Sequence, residues 1–332
     1  MPELLEVDKL RVRYRTMGSV RAWLTGVADP FIDAVLDVSF SVKAGSTFAL
    51  VGESGSGKTT LGRAILGLVP VHSGSIRFEG KTIQGTSDKA FQPLRRQIAM
   101  MFQDPVASLS PRLTVKSLIT EPFLIHGQTD RNLDQEAKRL LDMVGLPESF
   151  VARYPHELSG GQARRVGVAR ALALAPKLII ADEPTAGLDV SVQGEILNLM
   201  NRLQEELGLA YLIITHNLAV VRHISDEMAI MYMGRFVEHG PTARIFAAPA
   251  HPYTHGLLAA EPEPDPDRRR ESVELKGEVP SLAHRPSGCE FHTRCPHAQP
   301  NCRTDLPMPH ALGPNHSASC HYPLSGDQAR VA

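Results

Sequence analysis

Hydrophobic residues follow two different periods along the first 260 positions of the chain. Alternation of apolar and polar residues predicts an exposed antiparallel strand or pair at residues 4–14 and further alternating strands at 34–42 and 75–80. Continuous apolar runs predict buried strands at residues 47–51, 98–102, 178–181 and 211–215. Turns are expected at Ser73-Gly74 and at Gly234-Arg235, and the second of them closes a hairpin.

Apolar residues at helical spacing follow most of these strands. They predict helices at residues 60–66 and 191–207. Residues 106–175 are expected to be mostly helical, with helices at 134–144 and 163–174. Strands that alternate with helices are typical of α/β proteins with a mostly parallel sheet. In such sheets the ligand sites lie at the carboxyl ends of the strands.

Two stretches break the pattern. Residues 15–33 have no clear period, which indicates a loop or a short amphipathic insertion. Residues 261–266 alternate acidic residues with proline, which indicates an extended linker. We therefore expect a large α/β domain at 1–260, with a helical subdomain at about 104–175, and a linker followed by a small extension at 261–332.

Composition narrows the class of protein. The 332 residues are 42% hydrophobic, enough for a sizeable core, and the net charge of −1 gives no global field that favours nucleic acid or an anionic membrane. No apolar run is close to the length of about 18 residues that a transmembrane helix needs. The first residues lack the basic and apolar regions of a secretory signal. We expect a soluble, cytoplasmic protein that reaches a membrane only through a partner.

A phosphate-binding loop, G-x-x-x-x-G-K-[ST], follows the predicted strand at 47–51 and precedes a predicted helix. Its glycines allow backbone N–H groups to turn toward an anion. Lys58 is expected to bind the β- and γ-phosphates, and the Thr59 hydroxyl to bind Mg²⁺. The predicted nucleotide-binding residues are Gly52, Glu53, Ser54, Gly55, Ser56, Gly57, Lys58, Thr59 and Thr60. The loop alone indicates only that a nucleoside triphosphate binds.

Polar residues stand where three further apolar strands end. They are Gln103, the pair Asp182-Glu183, and His216. Because the ends of parallel strands meet at one crevice, all three positions are expected to act on the same ligand. Asp182 is suited to hold Mg²⁺ through water, and Glu183 to act as the general base for attack on the γ-phosphate. A lone Asp-Glu pair is usually a solvated strand end, but a phosphate loop requires a magnesium carboxylate.

A second anion site is predicted at the start of the helix at 163–174. Ser159, Gly160, Gly161 and Gln162 open this helix and leave its first N–H groups available to an anion. One nucleotide does not need two phosphate cradles in one chain. A head-to-tail dimer does, since each nucleotide is then closed between the loop of one subunit and the second cradle of the other.

Over residues 4–245 the chain resembles the ATPases of ABC transporters. The motifs are Gly52–Thr60 (Walker A), Gln103 (Q-loop), Leu158–Gln162 (signature), Leu178–Glu183 (Walker B), Ala186–Asp189 (D-loop) and His216 (switch). The resemblance implies that Gln103 links the γ-phosphate and Mg²⁺ to the helical subdomain, that His216 contacts the γ-phosphate and that Asp189 organises the dimer seam. It also implies that Tyr14 stacks on adenine; the alternative is an ordinary strand aromatic.

The implied fold is α/β, with a P-loop NTPase (RecA-like) core, an antiparallel β subdomain, an inserted α-helical subdomain and a small Cys-rich C-terminal extension. The stretches Met101–Pro105, Leu188–Gln193 and His251–Thr254 resemble the peptide/nickel importer branch, and Thr60–Arg63 resembles its second ATPase subunit. Such importers combine a second ABC ATPase subunit (homo- or heterodimer), two transmembrane permeases and an extracytoplasmic solute-binding protein.

The expected function is therefore ATP hydrolysis coupled to uptake of di- or oligopeptides, at the cytoplasmic face of the inner membrane. Import of nickel or another small solute is the alternative on the same scaffold. A soluble ABC ATPase that acts on DNA or ribosomes is disfavoured, because the chain has a single cassette, near-zero net charge and no basic arm. A third alternative is a mainly regulatory metal-binding protein that uses its C-terminal extension.

The four cysteines are Cys289, Cys295, Cys302 and Cys320, and the stretch around them resembles the C-terminal extension of the same branch. Paired disulfides are disfavoured in a reducing cytoplasm. Zn²⁺ takes four thiolates, but its usual C-x₂-C spacing is absent. A [4Fe–4S] cluster tolerates irregular spacing and is implied by the resemblance. The cluster, zinc and free thiols stay open, with His321 as the candidate substitute ligand.

Overall fold

The computed structural model describes residues 3–18, 30–102, 109–261, 275 and 277–325. The chain divides into two compact units, described here in turn. The first unit comprises Met1–Leu4, Val42–Thr47 and Thr86–Thr215. The second unit comprises Leu5–Ser41, Phe48–Gly85 and His216–Ala332.

Strands and helices alternate over most of the described chain. The strands are β1 (Glu3–Arg15), β2 (Phe31–Lys43), β3 (Thr47–Val51), β4 (Ser73–Phe78), β5 (Lys81–Thr82), β6 (Ile98–Met101), β7 (Leu178–Asp182), β8 (Ala210–Thr215), β9 (Glu227–Tyr232), β10 (Arg235–Pro241), β11 (His310–Gly313) and β12 (His316–Ala318). The helices are α1 (Lys58–Ile65), α2 (Asp88–Phe91), α3 (Val115–Ile125), α4 (Leu133–Met143), α5 (Gly160–Leu172), α6 (Val190–Leu207), α7 (Leu218–Ile224), α8 (Thr242–Ala247) and α9 (Pro252–Ala259).

Three parallel strands of the first unit follow one another in the order β8, β7, β6. Every residue of β7 and β8 is buried, as continuous apolar runs predict for strands covered on both faces. The prediction of a buried strand at 98–102 is wrong in part. Strand β6 ends at Met101, its middle two residues are only partly buried, and Phe102 is 51% exposed.

Helices α3 to α6 complete the first unit. Their starts follow capping chemistry: Thr114, Asn132, Ser159 and Asp189 each accept a backbone N–H at the first turn of the helix that follows. Helix α5 begins at Gly160, earlier than the predicted start at residue 163, because Ser159 caps it. Helix α6 ends at the left-handed Gly208, as the sequence predicts.

The second unit contains an antiparallel sheet in the order β2, β1, β4, β5. It also contains strands in the order β11, β12, β10, β9, β3. Strands β3 and β9 are parallel, and the pairs from β9 to β11 are antiparallel. Residues 310–318 of the C-terminal extension thus add two short strands to the edge at β10.

The structure of the second unit differs from the predicted positions of two turns. Ser73-Gly74 lies inside β4, and the predicted turn is wrong. Gly74 has φ 89°, and a Cβ there would lie 2.4 Å from the carbonyl oxygen of Lys9, so the glycine permits a close approach of β4 to β1. The hairpin turn lies at Met233-Gly234, one residue earlier than predicted, and both residues have positive φ.

The hydrophobic core of the second unit includes the C-terminal extension. Phe291 is 1% exposed, and its ring centroid lies 5.4 Å from that of Tyr232 and 5.3 Å from that of Tyr253. Cys289 and Cys295 pack against the same core. Since Phe291 fills the space beside β9 and α9, the extension is part of this unit's fold.

Several predictions concern residues outside the described ranges. The centre of the predicted insertion at 15–33, most of the linker, and Gln103 lie there. The ends of that insertion are described: Glu3–Arg15 and Phe31–Lys43 are strands, so the predicted irregular stretch is too long at both ends. In the described part of the chain, no helix combines the length and apolarity needed to cross a bilayer.

Candidate nucleotide-binding site

The phosphate loop begins directly after β3 and ends at the first turn of α1. Gly52 has φ 154°, and a Cβ there would lie 2.2 Å from the carbonyl oxygen of Met231. At Gly57, with φ 103°, a Cβ would lie 2.3 Å from the carbonyl oxygen of Ala34. These close approaches and dihedrals require glycine, so the loop is folded tightly against neighbouring backbone.

Lys58 is the first residue of α1 and is only 8% exposed. Its ammonium donates to the carbonyl oxygens of Gly52 (2.7 Å) and Glu53 (2.9 Å) and to the hydroxyl of Ser56 (3.3 Å). No acidic residue stands in the first turn of α1. The loop therefore concentrates positive charge, from the ammonium and the helix N-terminus, at the place where a phosphate is predicted.

Two further predicted residues lie in the second unit with the loop. Tyr14, near the end of β1, is 39% exposed and its hydroxyl donates to the Thr60 hydroxyl at 3.4 Å. The structure thus brings Tyr14 to the start of α1. His216 follows β8 directly and is exposed. Thr59 is half-buried in the first turn of α1, while Ser54 and Gly55 are both exposed at the loop surface.

Asp182 and Glu183 lie at the carboxyl end of β7 in the first unit. Asp182 is 4% exposed and Glu183 is 9% exposed. Glu183 has φ 50°, an uncommon conformation for a non-glycine residue. Its N–H donates to the carbonyl oxygen of Ile214 (2.8 Å), and the Thr215 hydroxyl donates to its Oε2 (3.0 Å). The end of β8 therefore holds both the backbone and the carboxylate of Glu183.

The signature residues form the capped start of α5. The Gln162 N–H donates to the Ser159 hydroxyl (3.3 Å), and the Ser159 N–H donates to the Gln162 side chain (3.0 Å). This reciprocal capping box fixes the helix N-terminus. A Cβ on Gly161 would lie 2.6 Å from Cγ1 of Val192, and one on Gly160 would lie 3.3 Å from Leu188. The signature therefore packs directly on the start of α6.

Asp189 caps α6, a role that the sequence analysis did not assign. It accepts from the Val192 N–H (2.9 Å) and the Ser191 hydroxyl (2.8 Å), and these hydrogen bonds lower its pKa. Arg164 was also missed. It is 2% exposed, and its guanidinium donates to the carbonyl oxygen of Ala186 at 2.8 Å, which ties α5 to the D-loop. A charged residue on the apolar face of α5 is the signal that could have revealed it.

The four cysteines form no disulfides, and all four line one cavity of about 10 Å³. Burial raises the pKa of Cys289 to about 11 and that of Cys320 to about 12, and it also raises the pKa of Cys295. His321 points one ring nitrogen at the carbonyl oxygen of Asp305 (2.8 Å). Within the described ranges, no set of three or more His, Cys, Asp or Glu side chains is arranged to hold a metal ion.

Two family profiles match the chain. The profile described as "ABC transporter" matches residues 35–186, which include the Walker A loop, the signature and Walker B. The profile described as "Oligopeptide/dipeptide transporter, C-terminal region" matches residues 237–302, which include three of the four cysteines.

Curated relatives match over nearly the whole length. The oligopeptide transport ATP-binding protein AppF of Bacillus subtilis (strain 168) is 48% identical, over 87% of this chain and 89% of the relative. The probable peptide ABC transporter ATP-binding protein y4tS of Sinorhizobium fredii (strain NBRC 101917 / NGR234) is 47% identical, over 99% of this chain and 92% of the relative.

Solved structures share the cassette fold. The ATP-binding cassette MJ0796, in a dimeric post-hydrolysis state bound to ADP and Pi, is 28% identical with a TM-score of 0.63, over 72% of this chain and 99% of that one. CbiO1 of Clostridium perfringens, part of an ABC transporter complex, is 29% identical with a TM-score of 0.64, over 74% of this chain and 91% of that one. The chain therefore belongs to the ABC transporter ATP-binding proteins, the ABC ATPases, in the branch that carries the oligopeptide/dipeptide transporter C-terminal region.

Proposed function

We propose that the chain is the ATP-hydrolysing subunit of an importer of di- or oligopeptides. The observation that carries the proposal is the presence, in one chain, of the ATPase cassette and the oligopeptide/dipeptide transporter C-terminal region. The relatives named above are peptide and oligopeptide transport proteins by their own names. ATP and Mg²⁺ are the substrate and metal that this family of ATPases uses in general.

Each motif residue receives a role in this proposal. Lys58 neutralises charge on the transferred phosphoryl group, and Glu183 orients and deprotonates the attacking water. His216 supports the γ-phosphate, and Tyr14 contacts the base. Gln103 relays the presence of nucleotide toward the membrane partner.

The residues proposed to hold Mg²⁺ are Thr59, Asp182 and Gln103. Their hydroxyl, carboxylate and amide oxygens are hard donors of the kind that Mg²⁺ prefers. When bound, Mg²⁺ supplies charge neutralisation at the phosphates.

The proposed working form is a head-to-tail dimer with a second ABC ATPase subunit. Ser159, Gly160, Gly161 and Gln162 contribute a helix N-terminus to the nucleotide of the partner, and Asp189 contributes to the seam. The capped and rigid start of α5 supports this assignment, because a preformed helix N-terminus needs no reorganisation to meet an anion.

The proposed partners are two transmembrane permeases and an extracytoplasmic solute-binding protein, which places this subunit peripherally at the cytoplasmic face of the inner membrane. The proposed domain boundaries are an ATPase domain at 1–260, with a helical subdomain at about 104–175, and the extension at 261–332. No nucleic acid partner is proposed.

We also propose that Cys289, Cys295, Cys302 and Cys320 hold a [4Fe–4S] cluster. Four soft donors that line one cavity are the support for this proposal. Anaerobic purification followed by iron, sulfide and zinc analysis is the test: about four irons per chain are expected, and zinc without iron would refute the cluster.

The test of the proposed reaction is Glu183→Gln. The variant should bind ATP with unchanged affinity, lose roughly 100-fold or more of its ATP turnover, and accumulate as a dimer, because a general base contributes about 10² to 10⁴ in rate. Glu205→Gln, on the exposed face of α6, is the matched control and should turn over normally. Retained turnover in Glu183→Gln would refute the assigned base.

The test of the transport role is reconstitution of the chain with its co-purifying permeases in vesicles. ATP-dependent uptake of a labelled tri- or pentapeptide is expected, and it should be absent in Glu183→Gln. Uptake of Ni²⁺ without peptide would select the alternative solute. Recovery of nucleic acid in place of a permease would refute the importer.

A further inference from the structure

Glu53, the second residue of the phosphate loop, is held by residues far along the chain. The Nη1 atom of Arg294 lies 3.1 Å from each carboxylate oxygen of Glu53. The backbone N–H of Glu53 donates to the hydroxyl of Tyr253 at 3.1 Å. All three residues belong to the second unit. The contact therefore joins the loop to α9 and to the cysteine-containing extension.

The environment of this ion pair makes it rigid. The side chain of Arg294 is 6% exposed, and its guanidinium lies 5.9 Å from the ring centroid of Tyr232. Phe291 packs against Tyr232 and Tyr253 on the other side. A buried guanidinium that loses its carboxylate is left uncompensated, so the pair resists opening.

Glu53 also contacts the lysine that is proposed to bind phosphate. Its carbonyl oxygen accepts a hydrogen bond from the Lys58 ammonium at 2.9 Å. The carboxylate, the N–H and the carbonyl of one residue thus bond to Arg294, Tyr253 and Lys58 respectively. When Arg294 fixes Glu53, it also fixes the position of an acceptor that orients the ammonium.

A second arginine of the extension reaches the loop through the β9–β10 turn. Arg285 donates to the carbonyl oxygen of Met233 at 2.6 Å, and the N–H of Gly234 donates to the carbonyl oxygen of Ser56 at 2.9 Å. Glu290, which is 9% exposed, pairs with Arg285 at 2.6 Å. The loop is therefore supported from the extension at two points.

We propose that Arg294 is a positioning residue of the nucleotide site: it acts through Glu53 to hold the phosphate loop in its binding geometry. The ATP affinity of the loop then depends on the folded state of the C-terminal extension. This inference uses only the ATP binding of the cassette and is independent of which solute is transported.

Substitution of each partner alone and of both together tests the proposal on the full-length chain. The dissociation constant of MgATP, and KM and kcat for ATP, are measured for Arg294→Met, Arg294→Lys, Glu53→Gln and the double variant Arg294→Met/Glu53→Gln. Arg303→Met, an exposed arginine of the same extension, is the matched control and should behave like the parent chain.

Arg294→Met is expected to raise the dissociation constant and KM by roughly tenfold while kcat changes less than twofold. Arg294→Lys should recover part of the loss, because it retains the charge but not the planar guanidinium. Glu53→Gln should weaken ATP to a similar degree, and the double variant should be no weaker than either single variant.

Two outcomes would overturn the proposal. One is an unchanged dissociation constant in Arg294→Met. The other is a double variant whose loss is the sum of the single losses, since Arg294 would then act on stability and not through Glu53. If Arg294→Met does not fold, Arg294→Lys and Glu53→Gln decide: an unchanged ATP affinity in both refutes the role.

Discussion

The carboxylate of Glu238 is fully buried, and three donors satisfy it. Oε1 accepts from the Ala250 N–H and from Nε2 of His316, each at 2.9 Å, and Oε2 accepts from the His251 N–H at 2.9 Å. These residues come from β10, the start of α9 and β12. A buried carboxylate is destabilising when any of its hydrogen-bond donors is removed. Glu238 therefore ties the extension to the rest of the second unit.

His251 caps α9 with a neutral ring. Its Nδ1 accepts from the Tyr253 N–H at 3.0 Å, which requires that this nitrogen carry no proton. The residue is 1% exposed, and burial lowers the pKa of His251 from 6.5 to about 4, although the nearby Glu238 carboxylate acts in the opposite direction. Protonation would therefore remove the cap and leave a charge in the core.

We predict that His251 makes the protein less stable in acid. Because its folded pKa lies below its unfolded value, the stability that it contributes is complete above pH 6.5 and is lost as the pH falls toward about 4. The full loss is about 3 kcal/mol. Urea unfolding at several pH values, with chelator and reductant present, measures it.

His251→Asn is the matched variant for this measurement, since asparagine keeps a capping acceptor and does not titrate. The parent chain should lose more stability than His251→Asn between pH 7 and pH 4.5. Parallel curves for the two proteins would contradict the assignment.

At the scale of the elements, the continuous apolar runs predicted the central strands well. The bounds of β3 are those predicted, and β7 and β8 differ from prediction by one residue at one end. Burial on both faces favours apolar residues at nearly every position of such a strand, so a continuous apolar run identifies it directly.

The misplaced turns have a physical reason. Gly74 and Gly234 were both interpreted as turn residues, but only Gly234 lies in a turn. Gly74 is needed because β1 passes within contact distance of it, a tertiary condition that the local sequence does not record. Likewise, the two middle residues of β6 are only partly buried, because β6 is an edge strand of its sheet. The four residues of β6 do not by themselves indicate an edge position.

The sequence alone could propose only part of the candidate site. The motif residues are contiguous or follow strands, so their identity was readable from the sequence. The residues that support them were not: Arg164 holds the D-loop from another helix, and Arg294 contacts Glu53 across 241 positions. Long-range partners of this kind leave no periodic signal in a single sequence.

We predict that Gly161→Ala disables hydrolysis through the contact between α5 and α6. The new Cβ would lie 2.6 Å from a methyl carbon of Val192, and overpacking of this kind costs about 1–3 kcal/mol. ATP turnover should fall at least about tenfold, while ATP binding to the phosphate loop of the same chain is retained. Turnover assays and equilibrium ATP binding measure the two effects.

Gly167→Ala is the control for that prediction. Gly167 lies in the same helix, and nothing lies within 4 Å of a Cβ built there. The substitution should leave turnover unchanged and stabilise the helix by about 0.5–1 kcal/mol. Equal loss of turnover in both variants would show that helix α5 tolerates no added methyl group and that Val192 is not the cause.

At the scale of the whole molecule, the second unit is built from three separated stretches of chain. Its core joins strand β9, helix α9 and the extension, and Phe291 is the central ring from the extension. The extension therefore contributes core to the unit that carries the phosphate loop.

We predict that deletion of residues 262–332 destabilises that unit. Loss of Phe291 alone exposes two buried tyrosine rings, and truncation of a buried aromatic costs about 3–5 kcal/mol. The deletion should lower the midpoint of urea unfolding and weaken ATP binding. Unchanged unfolding and normal ATP turnover, together with lost transport, would instead favour the extension as a separate regulatory module.

The contact between Arg294 and Glu53 also bears on the order in which the chain is made. A ribosome that adds about 5–20 residues per second needs roughly 10–50 s to pass from one partner to the other. Both Walker motifs are complete well before the end of that interval, yet the phosphate loop still lacks the arginine that contacts Glu53. A chain cut short by a nonsense mutation or a protease would keep all the motifs of an ATPase and bind ATP poorly. The proposed role of Arg294 thus links full ATP affinity to the synthesis and folding of the extension.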